Sequence, residues 1–197
     1  MFALQAGTKV VLPFLPFGTL SFRYTKIEPY CYTHQAVNYV PWYYGRYINE
    51  SYMNNGESLG YYLPPNSDEF FVRLETRPSE SSSAALQYQL VRHGADYGSR
   101  QVDGSSLYSE LSLARESMKK YFLKDGAYEW SNIVSLQGSY NFTQFKVPVE
   151  LNCTLGFVST IFTDTDAPLG TPGNYAKVET DEYKSSNGFI ATVSFTL

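Results

Sequence analysis

The sequence predicts an all-β fold, an antiparallel transmembrane β-barrel, from three observations. Apolar and polar residues alternate with period 2 along seven segments, the mark of strands whose two faces meet different surroundings. Several segments run about 11 to 15 residues, longer than the five or six usual in globular sheets and long enough to cross a bilayer at a tilt. The connections alternate short and long, as in barrels with tight periplasmic turns and large extracellular loops. A soluble antiparallel sandwich alternates its faces too, but strand length and loop alternation favour the barrel.

Composition agrees. Aromatic residues make up 17% of the 197 residues, with 18 Tyr and 13 Phe, while hydrophobic content is only 43%. Many aromatics with few apolar runs suit a barrel, where aromatic girdles mark the water interfaces and every second strand residue faces lipid. No stretch approaches 18 uninterrupted apolar residues, which excludes a transmembrane helix. A net charge of −4 without a basic run argues against nucleic-acid binding. Cys31 and Cys153 lack metal-ligand spacing and are read as two unpaired thiols, with a structural disulfide as the alternative.

Taken in order, Phe2, Leu4, Ala6, Val10 and Leu12 share one face of the first strand, opposite Gln5, Gly7 and Lys9. In the second, Leu20, Phe22 and Tyr24 alternate with Thr19, Ser21, Arg23 and Thr25. Phe70, Val72 and Leu74 line the third against Arg73 and Glu75, with Phe71 out of pattern. Leu86, Tyr88 and Leu90 of the fourth alternate with Gln87 and Gln89. The fifth sets Tyr128, Trp130, Val134 and Leu136 against Glu129, Ser131, Ser135 and Gln137, with Asn132 and Ile133 as exceptions. The sixth sets Val149, Leu151, Cys153, Leu155, Phe157 and Ile161 against Glu150, Asn152, Thr154 and Gly156. The seventh ends the chain with Phe189, Ala191, Val193, Phe195 and Leu197 against Thr192, Ser194 and Thr196.

Pro13–Phe17, Arg77–Ser83 and Thr143–Lys146 are the short connections; Cys31–Asp68, Gly94–Gly126 and Asp164–Ser186 are the long ones. Ser106 to Phe122 reads as a short helix in the second long loop, capped by Ser105 or Ser106. If the last strand finishes in the periplasm, every long loop lies outside the cell. The first strand then descends from the surface, and seven is odd where bacterial single-chain barrels have an even count. The expectation is a partial barrel, residues 1–197 forming one domain that holds about 7–8 strands of a larger one. Either a strand precedes Met1 or Leu59–Leu63 adds an eighth. Met1–Gly7 carries no signal-peptide pattern, which agrees with a C-terminal part of a longer exported chain.

Phe189-Ile-Ala-Thr-Val-Ser-Phe-Thr-Leu197 resembles the terminal β-signal read by the barrel assembly machinery, although many such signals end in Phe. Its physical basis is an amphipathic last strand with an edge free to pair before closure. Residues 20 to 95 carry a second resemblance. Glu28-Pro29-Tyr30-Cys31-Tyr32-Thr33-His34, then Asn55-Gly56-Glu57-Ser58-Leu59-Gly60, then Pro65-Asn66-Ser67-Asp68-Glu69 is similar in order and spacing to the capsule-assembly Wzi family. Leu63-Pro64 stands where the family has Gly before Pro65, and Val91-Arg92-His93-Gly94 resembles the family's strand-end region. The resemblance implies a large outer-membrane barrel, preceded by periplasmic helices, that holds surface polysaccharide in the manner of a lectin.

The first long loop agrees in type. Tyr30, Tyr32, Tyr39, Trp42, Tyr43, Tyr44, Tyr47 and Tyr52 crowd it, with His34 and Arg46 among them. Aromatic faces stack on the C–H faces of sugars, while Tyr, Asn and Arg groups hydrogen-bond hydroxyls and carboxylates. The candidate glycan contacts are Tyr30, Tyr32, His34, Trp42, Tyr43, Tyr44, Arg46, Asp68 and Arg92. The same aromatics suit a girdle or the loop's own core, and that alternative stays open.

Polar residues on the other strand face mix both signs, as in a lumen that pairs its charges or holds water. His34 and His93 adjoin no nucleophile motif, no phosphate loop or metal cluster occurs, and neither enzyme nor cofactor is expected. The reading is a non-enzymatic bacterial outer-membrane barrel, Wzi-like, in surface-polysaccharide attachment or assembly. The alternative is a porin-like channel for small solutes.

Overall fold

The computed structural model of the chain describes residues 2–31, 37–38, 47–48, 53–54, 57–94, 128–142, 149–163 and 184–196. The strands, in chain order, begin with β1 (Ala3–Leu12) and β2 (Gly18–Ile27). Four two-residue strands follow: β3 (Val37–Asn38), β4 (Tyr47–Ile48), β5 (Met53–Asn54) and β6 (Glu57–Ser58). The long strands resume as β7 (Ser67–Ser79), β8 (Ser82–Gly94), β9 (Tyr128–Phe142), β10 (Val149–Thr163) and β11 (Lys184–Thr196). The long strands span 10 to 15 residues each.

All seven belong to one sheet in the order β1-β2-β7-β8-β9-β10-β11, each antiparallel to its neighbours. The all-β expectation and the antiparallel pairing hold. The sheet is open, with β1 and β11 at its edges. Among the described residues none is helical, and the helix expected over Ser106 to Phe122 lies outside them. Leu59–Leu63 forms bends rather than an eighth strand, because its residues turn over the sheet and bond to side chains there.

Register carries the period-2 pattern across the sheet. Thr8, Phe22, Val72, Tyr88, Val134, Phe157 and Phe189 form one transverse row. Val10, Leu20, Leu74, Leu86, Leu136, Leu155 and Ala191 form the next. This apolar face is uncovered: Leu86 is 48% exposed, Leu155 47% and Phe195 68%. Asn132, a polar residue on this face, accepts a hydrogen bond from the Tyr88 hydroxyl at 2.9 Å, so the amide oxygen is satisfied within the face.

The two short connections among the described residues sit at one end of the sheet. In Pro13–Phe17 the Gly18 N–H bonds the Leu15 carbonyl at 2.9 Å, and Phe17 takes a left-handed φ of 49°. A Cβ on Gly18 would lie 2.5 Å from the Leu15 Cβ, so the turn requires glycine. The Arg77–Ser83 connection is tighter than expected: Ser79 pairs with Ser82 across a turn at residues 80–81. A register shift between Thr76 and Ser79 accommodates Pro78, which has no N–H for a regular ladder.

The core sits at the other end, on the polar face. Ile27, Cys31 and Leu63 are buried together, with Tyr61 and Val91 packed against them. Cys31 is unbridged there, while Cys153 is unbridged on the apolar face.

Candidate functional site

The polar face carries two groups of charged residues on β7, and β7's alternation puts Glu69, Phe71, Arg73 and Glu75 on that face. At the long-connection end, segment 59–66 folds back over the sheet. Glu69 beneath it is fully buried. Its carboxylate accepts from Arg23 Nη2 at 2.6 Å, from the Tyr61 hydroxyl at 2.6 Å and from the Tyr62 hydroxyl at 2.8 Å. Gln89 Nε2 in turn donates to the Tyr62 oxygen at 2.5 Å. The Arg23 guanidinium lies over the Phe71 ring, 4.5 Å from its centroid, which explains why an aromatic interrupts the polar side of β7. Gly7, paired with Arg23, leaves room for this strand contact, since a Cβ there would lie 2.6 Å from the Phe22 carbonyl.

A buried carboxylate is tolerable only with its charge paired and its lone pairs bonded, and Glu69 meets both conditions. Burial and then the bond to Glu69 push the Tyr61 and Tyr62 hydroxyls above their ordinary value of 10.0, so both stay protonated donors. The segment's backbone is stitched in as well. Asn66, in the left-handed region at φ 59°, donates to the Glu28 carbonyl at 3.3 Å and accepts from Gly94 N–H at 3.0 Å.

At the short-turn end the same face opens into a hollow of about 750 Å³, lined by residues that include Lys9, Arg73, Glu75, Arg77, Asn152 and Thr154. Arg73 Nε donates to Glu75 at 2.8 Å, and its Nη1 reaches Gln87 at 3.1 Å and Gln137 at 3.0 Å. That reach crosses β8 at Ala85, whose methyl leaves the guanidinium room. Lys9 approaches Glu75 at 3.6 Å from β1. The result is a polar chain across β1, β7, β8 and β9, open to solvent.

Of the sequence-predicted site residues, Tyr30, Asp68 and Arg92 are described; Tyr32, His34, Trp42, Tyr43, Tyr44 and Arg46 lie outside the described residues. Tyr30 is buried, with a left-handed φ of 59°. Asp68 and Arg92 are cross-strand partners on the apolar face at the long-connection end. They form a two-pronged ion pair: Arg92 Nε donates to Oδ1 at 2.8 Å, and Nη2 to Oδ2. The Tyr24 hydroxyl donates to Asp68 at 3.0 Å, and Arg92 lies 5.9 Å from the Trp130 ring centroid. Asp68 is thus buried and occupied by protein donors, which gives it a positioning role towards Arg92.

Sequence reasoning singled out Asp68 and passed over the clamp on Glu69. Consecutive strand residues face opposite ways, so the adjacent acid necessarily lay on the other face. The paired Tyr61-Tyr62 beside an acidic strand start was a further signal. Ser67 Oγ lies 2.8 Å from His93 Nδ1. Ser67 is fully buried, so this contact joins β7 to β8 and presents no nucleophile to a substrate. Compared with known proteins, the chain matches no family model, no curated protein and no solved structure.

Proposed function

We propose that this chain is part of a bacterial outer-membrane β-barrel, with lipid covering its apolar face, and that it serves without catalysis in attaching or assembling surface polysaccharide. The observation that carries the reading is the pair of rows, apolar but for Thr8, running uncovered across all seven strands, opposite a face of paired charges. A soluble sandwich requires a second layer over such a face, and among the described residues none covers it. Strands of 10 to 15 residues, at a rise of roughly 3.3 Å and a tilt of about 40°, stand roughly 25 to 38 Å tall, matching a bilayer's apolar thickness.

The Wzi-like part of the reading is supported by the ordered motifs, of which the Pro65–Glu69 element leads into β7. The terminal Phe189–Leu197 is proposed as the segment the barrel assembly machinery engages. The glycan contacts are proposed among Tyr32, His34, Trp42, Tyr43, Tyr44, Arg46 and Arg92, with the buried Tyr30 and Asp68 supporting them from beneath. The long-connection end of the polar face, filled by segment 59–66, favours a lectin-like barrel with a narrowed lumen. The open hollow beside Arg73 favours the second reading, a porin-like channel.

Partitioning tests the membrane assignment: the purified chain is expected to fold only in detergent or lipid, and a compact monomer in plain buffer removes the assignment. Capsule retention by cells carrying W42A and Y43A tests the glycan role, with a clear loss expected; unchanged retention removes it. Planar-bilayer recording separates the two readings, since a filled lumen passes little current.

A further inference from the structure

From the bonds that hold segment 59–66 to the sheet, we propose that this segment is a releasable strap, closing the long-connection end of the polar face and fastened there by the Glu69 carboxylate. The inference rests on the barrel reading in one respect, that the polar face lines a lumen; the fastening itself stands without it. Segment 59–66 is bent chain without ladder pairing of its own. Its Asn66 end is bonded through the backbone to Glu28 and Gly94, while its middle is held where the Tyr61 and Tyr62 hydroxyls reach Glu69 at 2.6 and 2.8 Å. Leu63 is the apolar anchor, buried against Ile27 and Cys31. Leu63, Pro65 and Asn66 are buried and hold the far end of the segment, while its middle, at Tyr61 and Tyr62, is held by hydroxyl bonds and opens more readily than a strand, whose every backbone group is bonded.

Two further details point to an arrangement that can switch. Arg23 Nε is buried without a hydrogen-bond partner, so the closed state carries an unmet donor that an open, wetted state would satisfy. Tyr62 is only partly covered, at 59% exposure, and its oxygen is shared between Glu69 and Gln89. Water therefore has a route to the clamp. Release would leave the Arg23–Glu69 pair on the sheet and join the hollow beside Arg73 to the far end of the same face. The strap closes one end, and the hollow opens at the other.

The test uses the full chain in detergent micelles and in bilayers, with Y61F/Y62F as the main variant. It deletes both hydroxyl donors while keeping the rings and the Arg23–Glu69 pair. Hydrogen exchange at the amides of residues 59–63 is expected to quicken about tenfold, the scale of losing bonds to a charged acceptor. Amides of β8 to β10 are expected to hold their protection. Single-channel conductance is expected to rise at least about twofold in the variant, as a constriction is removed. Unchanged exchange at 59–63 overturns the fastening. Faster exchange with unchanged conductance overturns the closure. A chain that never enters bilayers defeats the membrane reading instead, and the exchange measurement still decides the fastening. E69Q, which keeps the side-chain shape but removes the charge, is the second variant and is expected to quicken the same amides.

Discussion

Glu69 and Glu75 lie on the same face of the same strand and each pairs with an arginine, yet they occupy different physical worlds. Glu69 is sealed under segment 59–66 and satisfied by three donors within 2.8 Å. Glu75 bonds Arg73 at 2.8 Å and meets Lys9 at 3.6 Å, with its side chain 38% exposed. The pairs are chemically alike, so coverage decides how much each matters. Removing one partner of a buried pair strands a charge in a poor solvent, whereas water takes over the role of a lost partner at an exposed one.

The largest effect that sharpens this contrast is E69A. It leaves Arg23 and two tyrosines without their acceptor, and a loss of about 3–5 kcal/mol is expected from urea unfolding in micelles. An E69A chain as stable as E75A would erase the distinction. Next in size is an alkaline effect at the covered end. The folded chain holds the Tyr61 and Tyr62 protons above the ordinary value of 10.0, for reasons of burial first and the Glu69 bond second. The folded state then binds more protons than the unfolded one above that value, so stability is complete below it and falls as pH rises through and beyond it. Unfolding midpoints across that range should decline more steeply in the native chain than in Y61F/Y62F. The smallest effect belongs to E75A, no more than about 1 kcal/mol, as for a solvent-exposed pair. Adding salt to about 1 M should shrink even that, since screening there acts within about 3 Å; a salt-independent loss would mean that the hollow is drier than its exposure implies.

The faces of the strands were legible because alternation is local. Leu86, Tyr88 and Leu90 had to share a face whatever β8 paired with. The turn at Pro13–Phe17 was legible for the same reason, with two prolines marking it. Phe71 and Asn132 looked like errors in the pattern and are explained only by partners: Phe71 lies under Arg23, and Asn132 accepts from Tyr88. Leu59–Leu63 misled because a short apolar and aromatic run suits either a strand or a segment folded over one. Nothing in its spacing reveals that two hydroxyls will find a carboxylate on β7.

By itself, then, the sequence determined which segments are the seven long strands, though not the two-residue pairs β3 to β6, and which residues share a face, and that one face is greasy and the other charged. All of that follows from a two-residue period along an extended chain. Only the tertiary structure decided that Glu69 is clamped and Glu75 left open. That choice depends on contacts such as Arg23 to Glu69, 46 residues apart, and on where segment 59–66 comes to rest. Burial is a property of what covers a residue, and no local pattern records the cover.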